Sequence, residues 1–204
     1  MHISEGVLPT AVLAAGWAVT ATGVWKGTRD MSLDDAAVAG VSTAGFFVAS
    51  LIHVPLGPTS VHLLLNGLVG ILLLWRAFPV IFVALLLQAL LFQFGGVMVL
   101  GCNTLVMGIP AVLAGMLFHM GMSDASSRWM WLRGALCGAF AVCCSALLLA
   151  AVLISAGEAF VVTAKVAFMA HIPIMLAEAV ITGGAVAFLA RVAPELLGSG
   201  VKPQ

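Results

Sequence analysis

The sequence has little charge of either sign and no tyrosine. Among its 204 residues, 8 are lysine or arginine and 8 are aspartate or glutamate, so charged residues make up 8% of the chain. A soluble domain carries about 25% charged residues, so this chain cannot cover a water-facing surface. It also lacks the basic excess that nucleic-acid-binding proteins show. These absences exclude a soluble enzyme, a nucleic-acid binder and a disordered protein.

The sequence also lacks paired cysteines. None of its four cysteines stands in a CxxC spacing, and all four lie inside apolar runs, at Cys102, Cys137, Cys143 and Cys144. Free cysteine is among the most buried residue types and packs as a small apolar side chain. The cysteines therefore predict neither a disulfide framework nor a cellular compartment.

Apolar side chains dominate the chain. They make up 63% of the residues, and the mean hydropathy is +1.20. A membrane-spanning helix needs about 20 mostly apolar residues, and several stretches meet this requirement. We therefore predict an all-α, polytopic integral membrane protein that forms a single transmembrane domain over residues 1–204. The seven predicted spans are 7–25, 35–53, 59–75, 78–94, 96–118, 131–156 and 162–190.

The basic residues predict an orientation. Cytoplasmic loops of membrane proteins carry an excess of lysine and arginine. If the N-terminus lies outside, only Lys165 of the eight basic residues falls on the outer side. The others fall on the cytoplasmic side, and they are Lys26, Arg29, Arg76, Arg128, Arg133, Arg191 and Lys202. An odd number of spans then places the C-terminus in the cytoplasm.

Polar residues gather near the predicted outer surface. His53 and His62 flank the turn between the second and third predicted spans, and Asn66 is expected one helical turn after His62. Asn103 lies in the outer third of the fifth predicted span, and the predicted orientation brings His2 to the same side. Each residue alone is typical of helix packing. Because polar groups within membrane spans are rare, the group together indicates a candidate binding site.

The last predicted span carries the only carboxylate well within a span. Glu178 follows His171 by seven residues on the same helix face. This stripe is typical of an interhelical hydrogen bond or ion pair, and a proton- or metal-related role is the alternative. Two helical turns separate the residues by about 10 Å, which is far for one metal centre. The alternative role would make the chain an intramembrane metal-dependent enzyme, and this distance argues against it.

The first two residues form a chelating group. The α-amine of Met1, the backbone nitrogen of His2 and Nδ1 of His2 can surround one ion in two fused chelate rings. These nearly coplanar nitrogens leave one position in the plane for a histidine from a spanning helix. Square-planar nitrogen coordination suits Ni(II) or Cu(II) and permits Co(II), whereas Zn(II) prefers a tetrahedron. Glu5 and Pro9 stand where a cleaved signal peptide would need its basic region, so we expect this terminus to remain.

Five segments resemble a known family. They are similar, in the same order, to the CbiM and NikM family, the substrate-binding membrane subunits of energy-coupling factor transporters for cobalt and nickel. The segments span positions 1 to 183, which is nearly the whole chain. They are MHISEGVLP (1–9), PLGPTSVHLL (55–64), QALLFQFGG (88–96), GCNTLVMGIP (101–110) and AHIPIMLAEAVITG (170–183).

The resemblance implies a fold and a site. The fold would be a six-helix substrate-capture core with one additional N-terminal helix. Ni(II) or Co(II) would be the transported substrate, with no prosthetic group and no catalytic residues. The implied metal ligands are Met1, His2 and His62, and the implied cavity or supporting residues are Asn66, Asn103 and His53. Cys102 stands where the family is expected to have a smaller residue.

The resemblance also implies partners. The chain has no GxxxxGK[ST] phosphate-binding loop, so ATP must be hydrolysed by another subunit. The implied partners are a coupling membrane subunit, cytoplasmic ATPase subunits and a small accessory membrane protein, in the cytoplasmic (inner) membrane of a prokaryote. Cobalamin biosynthesis is one process that such transporters serve. An ATP-independent metal channel or carrier is the alternative.

Small residues on the second predicted span form a candidate docking face. Ala36, Gly40 and Ala44 recur every four residues, so they share one side of a helix. Small residues at this spacing allow two helices to approach closely within a membrane. We therefore expect either docking of the coupling subunit here or ordinary packing within this chain.

Overall fold

In the computed structural model, residues 2–29, 31–51, 53–120 and 127–198 are described. Helices account for most of these residues, and one β-hairpin interrupts them. The described helices are α1 (Thr10–Thr28), α2 (Leu33–Ala49), α3 (Asn66–Leu73), α4 (Ala77–Phe92), α5 (Leu100–His119), α6 (Ser127–Ser155) and α7 (Val161–Val192), and the strands are β1 (His53–Leu56) and β2 (Thr59–His62).

Within the described residues, four segments are long and apolar enough to cross a membrane by length and composition. They are Asn66–Phe92, Leu100–His119, Trp129–Ser155 and Glu158–Val192. The helices α1 and α2 are not among them. The prediction of a multi-pass helical membrane protein is therefore confirmed at this coarser level.

The predicted third span, 59–75, is wrong as a continuous helix. Its first residues form β2, which pairs antiparallel with β1 so that His53 lies opposite His62. Gly57 makes the tight turn between the strands with a φ of +59°, a conformation that glycine adopts without steric cost. Pro58 has no N–H to donate and cannot continue a helix. The local sequence therefore specifies a hairpin where the apolar composition alone indicated a span.

The helical remainder of that segment is short. Helix α3 has eight residues, so it rises only about 12 Å. A 3-10 turn over Leu74–Arg76 then leads into α4. The hairpin and α3 together therefore occupy the place that the sequence assigned to one full span.

Glycines bring α1 close to α5 and α4. A Cβ on Gly16 would overlap Cys102, and a Cβ on Gly23 would overlap the ring of Phe78. Small residues at such contacts let helix backbones approach within lipid. The Cys102 thiol donates to the Val12 carbonyl at 3.4 Å, so this cysteine belongs to the helix interface.

Basic and aromatic side chains meet at one end of the bundle. The ammonium group of Lys26 lies 3.7 Å above the ring of Trp75, and Arg76 forms a 2.8 Å ion pair with Asp35. Helix α4 starts at this end and leads to the opposite end, where the N-terminal segment and the hairpin lie. Two of the basic residues that were predicted to be cytoplasmic, Lys26 and Arg76, therefore lie at the same end, whereas Lys202 falls outside the described residues.

Candidate metal centre

The N-terminal segment lies across the hairpin as an extended chain. Ile3 forms an antiparallel bridge with Thr59, and the Ser4 N–H donates to the Pro58 carbonyl at 3.0 Å. His2 and Ile3 are both buried, with 4% and 0% of their surface exposed. The segment is therefore part of the fold and carries His2 into the interior.

Asn103 fixes the residue next to His2. Its side-chain oxygen accepts the Ile3 N–H at 2.8 Å, and its side-chain nitrogen donates to the Ile3 carbonyl at 3.2 Å. The Asn103 side chain thus makes the two hydrogen bonds to Ile3 that a neighbouring strand would otherwise make. Asn103 is buried in the first turn of α5. Asn103 therefore lies next to the site and supports the backbone of the N-terminal segment.

The loop after α4 receives the same segment. The Glu5 N–H donates to the Gly95 carbonyl at 3.2 Å, and the Glu5 carboxylate accepts the Met98 N–H at 2.9 Å. A Cβ on Gly96 would overlap the Glu5 side chain. Gly96 also has a φ of +127°, which strongly favours glycine. Gly96 therefore makes room for the Glu5 side chain.

His2 and His62 meet at the centre of this arrangement. Nε2 of His62 lies 3.1 Å from Nδ1 of His2, and the ring centroids are 4.7 Å apart. His62 is as deeply buried as His2, with 2% of its surface exposed. The Ser60 hydroxyl lies 3.4 Å from Nδ1 of His2. The structure thus brings together two candidate residues that are 60 positions apart in the chain.

Gln88 determines the tautomer of His2. The Gln88 side-chain nitrogen donates to the Phe47 carbonyl at 3.3 Å and to the Ser50 hydroxyl. Its side-chain oxygen therefore faces Nε2 of His2, at 2.7 Å. Because this oxygen can only accept a hydrogen bond, the hydrogen-bond network assigns the proton to Nε2. Nδ1 of His2 is then the unprotonated nitrogen, which is the one that the chelate requires.

His62 has the complementary tautomer. Its Nδ1 lies 2.8 Å from the Leu63 carbonyl and must donate to it, so Nε2 is unprotonated. Two unprotonated nitrogens do not hydrogen-bond to each other. Two nitrogens that each bind one ion at about 2.0 Å are roughly 2.8 Å apart in a square and roughly 3.3 Å apart in a tetrahedron. The 3.1 Å separation between the two nitrogens lies between these values, so the pair is close enough to bind one ion.

Burial keeps both imidazoles neutral. It lowers the pKa of His2 and of His62 to about 4, because removal from water disfavours the imidazolium form. For His2, the hydrogen bond to Gln88 raises the pKa and the nearby His53 lowers it, but burial has the largest effect. Both side chains are thus in the metal-binding protonation state at neutral pH.

His53 lies beside the pair and does not join it. Its ring stands edge-on to Phe94 with centroids 4.1 Å apart, and its Nδ1 lies 3.2 Å from the Leu51 carbonyl. The Phe94 ring also lies 6.1 Å from the ring of His2. His53 and Phe94 therefore form the wall of the site next to His2.

A cavity of about 540 Å³ reaches the site from the side of α7. His62 is among its lining residues, together with Val61 on the hairpin and Ala170, Pro173 and Ile174 on α7. All lining residues other than His62 are apolar. The cavity therefore offers the imidazole of His62 no competing charged group.

The side-chain nitrogen of Asn66 bonds to α5 and α6. It donates to the Met107 carbonyl at 3.1 Å and to the Ser145 hydroxyl at 2.9 Å. These bonds connect α3 to α5 and α6. The expected one-turn relation between Asn66 and His62 is wrong, because His62 lies on a strand and α3 begins only at Asn66.

His171 and Glu178 have separate backbone partners. Nδ1 of His171 donates to the Ala167 carbonyl at 2.7 Å, which lies one turn earlier on α7. The Glu178 carboxyl accepts the N–H groups of Leu64 and Leu65. The two side chains are therefore engaged in different contacts and do not form one centre.

The donor set at the histidine pair contains few side chains. Among the described residues there is no group of three or more histidine, cysteine, aspartate or glutamate side chains that could hold a metal ion. A metal site at His2 and His62 would therefore need backbone or terminal nitrogens. The predicted ligand Met1 lies outside the described residues.

Gln88 is the site residue that the sequence analysis missed. It lies on α4 within a long apolar run and is fully buried. A single buried amide in such a run is itself a signal, because polar side chains within membrane helices are costly. Its relation to His2 was not predictable, since 86 residues separate the two in the chain.

The small-residue stripe on α2 faces outward. Ala36, Gly40 and Ala44 are exposed, and a Cβ on Gly40 would meet nothing within 4 Å. Among the described residues, α2 packs mainly against α4. The stripe is therefore not engaged in packing within this part of the chain.

Comparison with known proteins gives a consistent result. The family model "CbiM: Cobalt uptake substrate-specific transmembrane region" matches residues 2–196. A Haemophilus influenzae protein, provisionally named as a metal transport protein, is 48% identical over 119 residues, which is 58% of each chain. The "Cobalt transport protein CbiM" of Geobacter sulfurreducens is 36% identical over 131 residues, which is 60% of this chain and 38% of that protein. The matches thus cover less than two thirds of these relatives.

Two further likenesses concern nickel and the fold. The "Fused nickel transport protein NikMN" of Rhodobacter capsulatus is 31% identical over 133 residues, which is 62% of this chain and 38% of that protein. A crystal structure described as a transition metal transporter superimposes with a TM-score of 0.74 at 26% identity. That superposition covers 94% of this chain and 93% of the other.

Proposed function

The chain belongs to the CbiM family of cobalt-uptake transmembrane proteins, and on that premise we propose that it captures Ni(II) or Co(II) for import. The family is one of membrane transport proteins, so the alternative of an intramembrane enzyme is not retained. In this proposal the chain is the substrate-capture component of an energy-coupling factor transporter. The relatives named for cobalt and for nickel transport support both ions as candidate substrates.

The contact between His2 and His62 carries the proposal. In the proposed site the ion binds the Met1 amine, the backbone nitrogen and Nδ1 of His2, and Nε2 of His62. The backbone nitrogen lies between the amine and Nδ1 in the two chelate rings, so the fourth ligand must be a neighbour of Nδ1. The 3.1 Å separation between Nδ1 of His2 and Nε2 of His62 supports this order of ligands.

The proposed topology is multi-pass in a single domain over residues 1–204, with the hairpin and α3 in place of the third predicted span and the N-terminus outside. The cluster of Lys26, Trp75 and Arg76 at one end of the bundle supports a cytoplasmic assignment of that end. The histidine pair at the opposite end would then face the outside, where the ion arrives. The hairpin would cover the site, and reorientation on the partner subunits would release the ion inward.

We place the docking of the coupling membrane subunit on the outward face of α2. The exposed Ala36, Gly40 and Ala44 support this placement, because a small-residue stripe admits a closely packed helix. ATP hydrolysis would be supplied by cytoplasmic ATPase subunits, and a small accessory membrane protein would complete the complex.

Calorimetric titration of the purified protein tests the proposed capture function. The N-terminus should be native, with its mass verified and every tag placed at the C-terminus. We expect one Ni(II) or Co(II) to bind per chain, and the ion with the larger affinity identifies the preferred substrate. If neither ion binds, the proposal is refuted.

The same titration at several pH values tests the protonation states. Since the pKa of both imidazoles is about 4, protons do not compete with the ion for either imidazole between pH 5 and pH 7. The amine, with an ordinary pKa of about 8, and the backbone amide must each lose a proton, so about two protons should leave per ion. The affinity should therefore fall about 100-fold for each unit by which the pH is lowered over this range. A slope that steepens below pH 6.5 would show that the imidazoles titrate normally.

Substitution of Gln88 tests the tautomer of His2. Gln88→Leu removes the acceptor for the Nε2 proton, so the proton can move to Nδ1 and block the ligand nitrogen. We expect metal affinity to fall about 10- to 100-fold, as is typical when a partner of a metal-binding histidine is lost. Gln88→Glu keeps an acceptor oxygen and should lose less. Equal affinity of Gln88→Leu and the unsubstituted protein would contradict this role.

A further inference from the structure

Glu178 begins a chain of hydrogen bonds that ends at His62. Its carboxyl oxygen Oε1 accepts the N–H of Leu64 and, at 2.6 Å, the N–H of Leu65. The Leu64 N–H belongs to the same peptide group as the Leu63 carbonyl. That carbonyl accepts the proton of His62 Nδ1 at 2.8 Å. One peptide group thus connects the Glu178 carboxyl to the imidazole of His62.

We propose that Glu178 is a positioning residue for the metal ligand His62 and acts through this peptide group. The inference rests on the proposed function, because it requires Nε2 of His62 to bind the ion. A metal-binding histidine usually donates its other N–H to a carboxylate or a backbone carbonyl, which fixes the ring and raises its basicity. Here the two kinds of partner act in series. The carbonyl holds the histidine, and the carboxyl holds the peptide group of that carbonyl.

Burial strengthens this effect. Glu178 has 0% and His62 has 2% of its surface exposed, so the chain of bonds runs through an interior of low dielectric. When a peptide N–H donates to a carboxyl group, its carbonyl becomes a stronger acceptor, because linked hydrogen bonds polarise one another. A stronger bond at Nδ1 of His62 makes Nε2 a better electron donor to the ion.

The same carboxyl holds the backbone between the strand and α3. Leu65 has a φ of +54°, which is uncommon for leucine. The bonds from the Leu64 and Leu65 N–H groups to a single oxygen stabilise this turn. They tie the end of the strand that carries His62 to α7, which packs against that strand. Glu178 therefore controls both the position and the electronic environment of His62.

The absorption spectrum of bound Ni(II) tests this inference, because a variant that only destabilises the protein would not change the spectrum of the bound ion. Glu178→Met has a similar volume but no acceptor, and we expect affinity to fall about 10- to 100-fold. The ligand-field band of Ni(II) bound to Glu178→Met should shift toward the band of Ni(II) bound to His62→Ala, because the fourth nitrogen is no longer held in the plane. Glu178→Gln keeps an acceptor oxygen and should retain the original band. Thr182→Val, one turn away on the same buried face, is the control and should change neither quantity.

A double variant separates positioning from general stability. If Glu178 acts through His62, then Glu178→Met should cause no further loss of affinity in a His62→Ala background. Full additivity, or an unchanged band and affinity in Glu178→Met, would overturn the inference. If Glu178→Met does not fold, Glu178→Gln decides, since loss of the band in that folded variant would also overturn it.

Titration of the unsubstituted protein distinguishes failure of the proposed metal capture from failure of the proposed role of Glu178. If it binds no ion, the proposed function fails together with this inference. If it binds one ion and Glu178→Met keeps the same band, only the role of Glu178 fails.

Discussion

An N-terminal extension should abolish high-affinity metal binding. Several additional residues before Met1 turn its amine into an amide and carry the new terminal amine away from His2, which removes a ligand and opens one of the two chelate rings. The pair of His2 and His62 would remain, but two imidazoles alone hold an ion far more weakly than four nitrogens. We expect the affinity to fall by at least about 1000-fold, or about 4 kcal/mol. Calorimetric titration of the extended and native proteins measures this loss directly.

Two further variants complete that experiment. A C-terminal extension of the same length is the control and should bind the ion as the native protein does. His2→Ala should lose binding as completely as the N-terminal extension, because it removes the imidazole at which the chelate meets His62. Thermal unfolding should be compared for each variant, since His2 is buried and contacts Gln88. Tight binding by a protein with a blocked amine would rule out the chelate.

The donor atoms of the proposed chelate can be derived from the sequence, whereas the burial of His2 cannot. A Met-His terminus has the same donor atoms in any protein, so its chemistry can be derived from the first two residues alone. Its approach to His62 depends on Asn103, which pairs with both backbone groups of Ile3. That bond spans 100 residues of the chain. The resemblance to a known family predicted the partnership of His2 and His62, but the supporting contacts required the structure.

The hairpin shows why hydropathy failed at one place. Residues of β2 are all buried, but only Val61 among them is apolar, so the apolar character of the predicted span comes from the residues that follow the strand. Irregular or extended backbone is tolerated at membrane depth where protein covers it and its hydrogen bonds are satisfied. Here β1 and Ile3 supply those bonds. The composition of 59–75 therefore predicted burial correctly and secondary structure incorrectly.

Loss of transport without loss of metal binding is expected when the outward face of α2 is obstructed. Gly40→Phe places a large ring within the small-residue stripe, where a Cβ meets nothing within 4 Å in this chain. The fold and the site should be unaffected, so metal affinity should stay within about twofold. The coupling subunit could no longer approach α2 closely. ATP-driven uptake by proteoliposomes that contain the complete complex should therefore fall at least about tenfold.

Gly184→Phe is the matched control, because Gly184 is also an exposed helical glycine with open space around it. It lies on α7, away from the proposed docking face, and should transport the ion normally. If both variants transport equally well, the face of α2 does not bind the coupling subunit. If liposomes containing this chain alone take up the ion without ATP, the chain is a carrier or channel, and coupling to an ATPase is refuted. Loss of uptake in Gly40→Phe alone, with metal binding retained, would separate capture of the ion from the step that drives it inward.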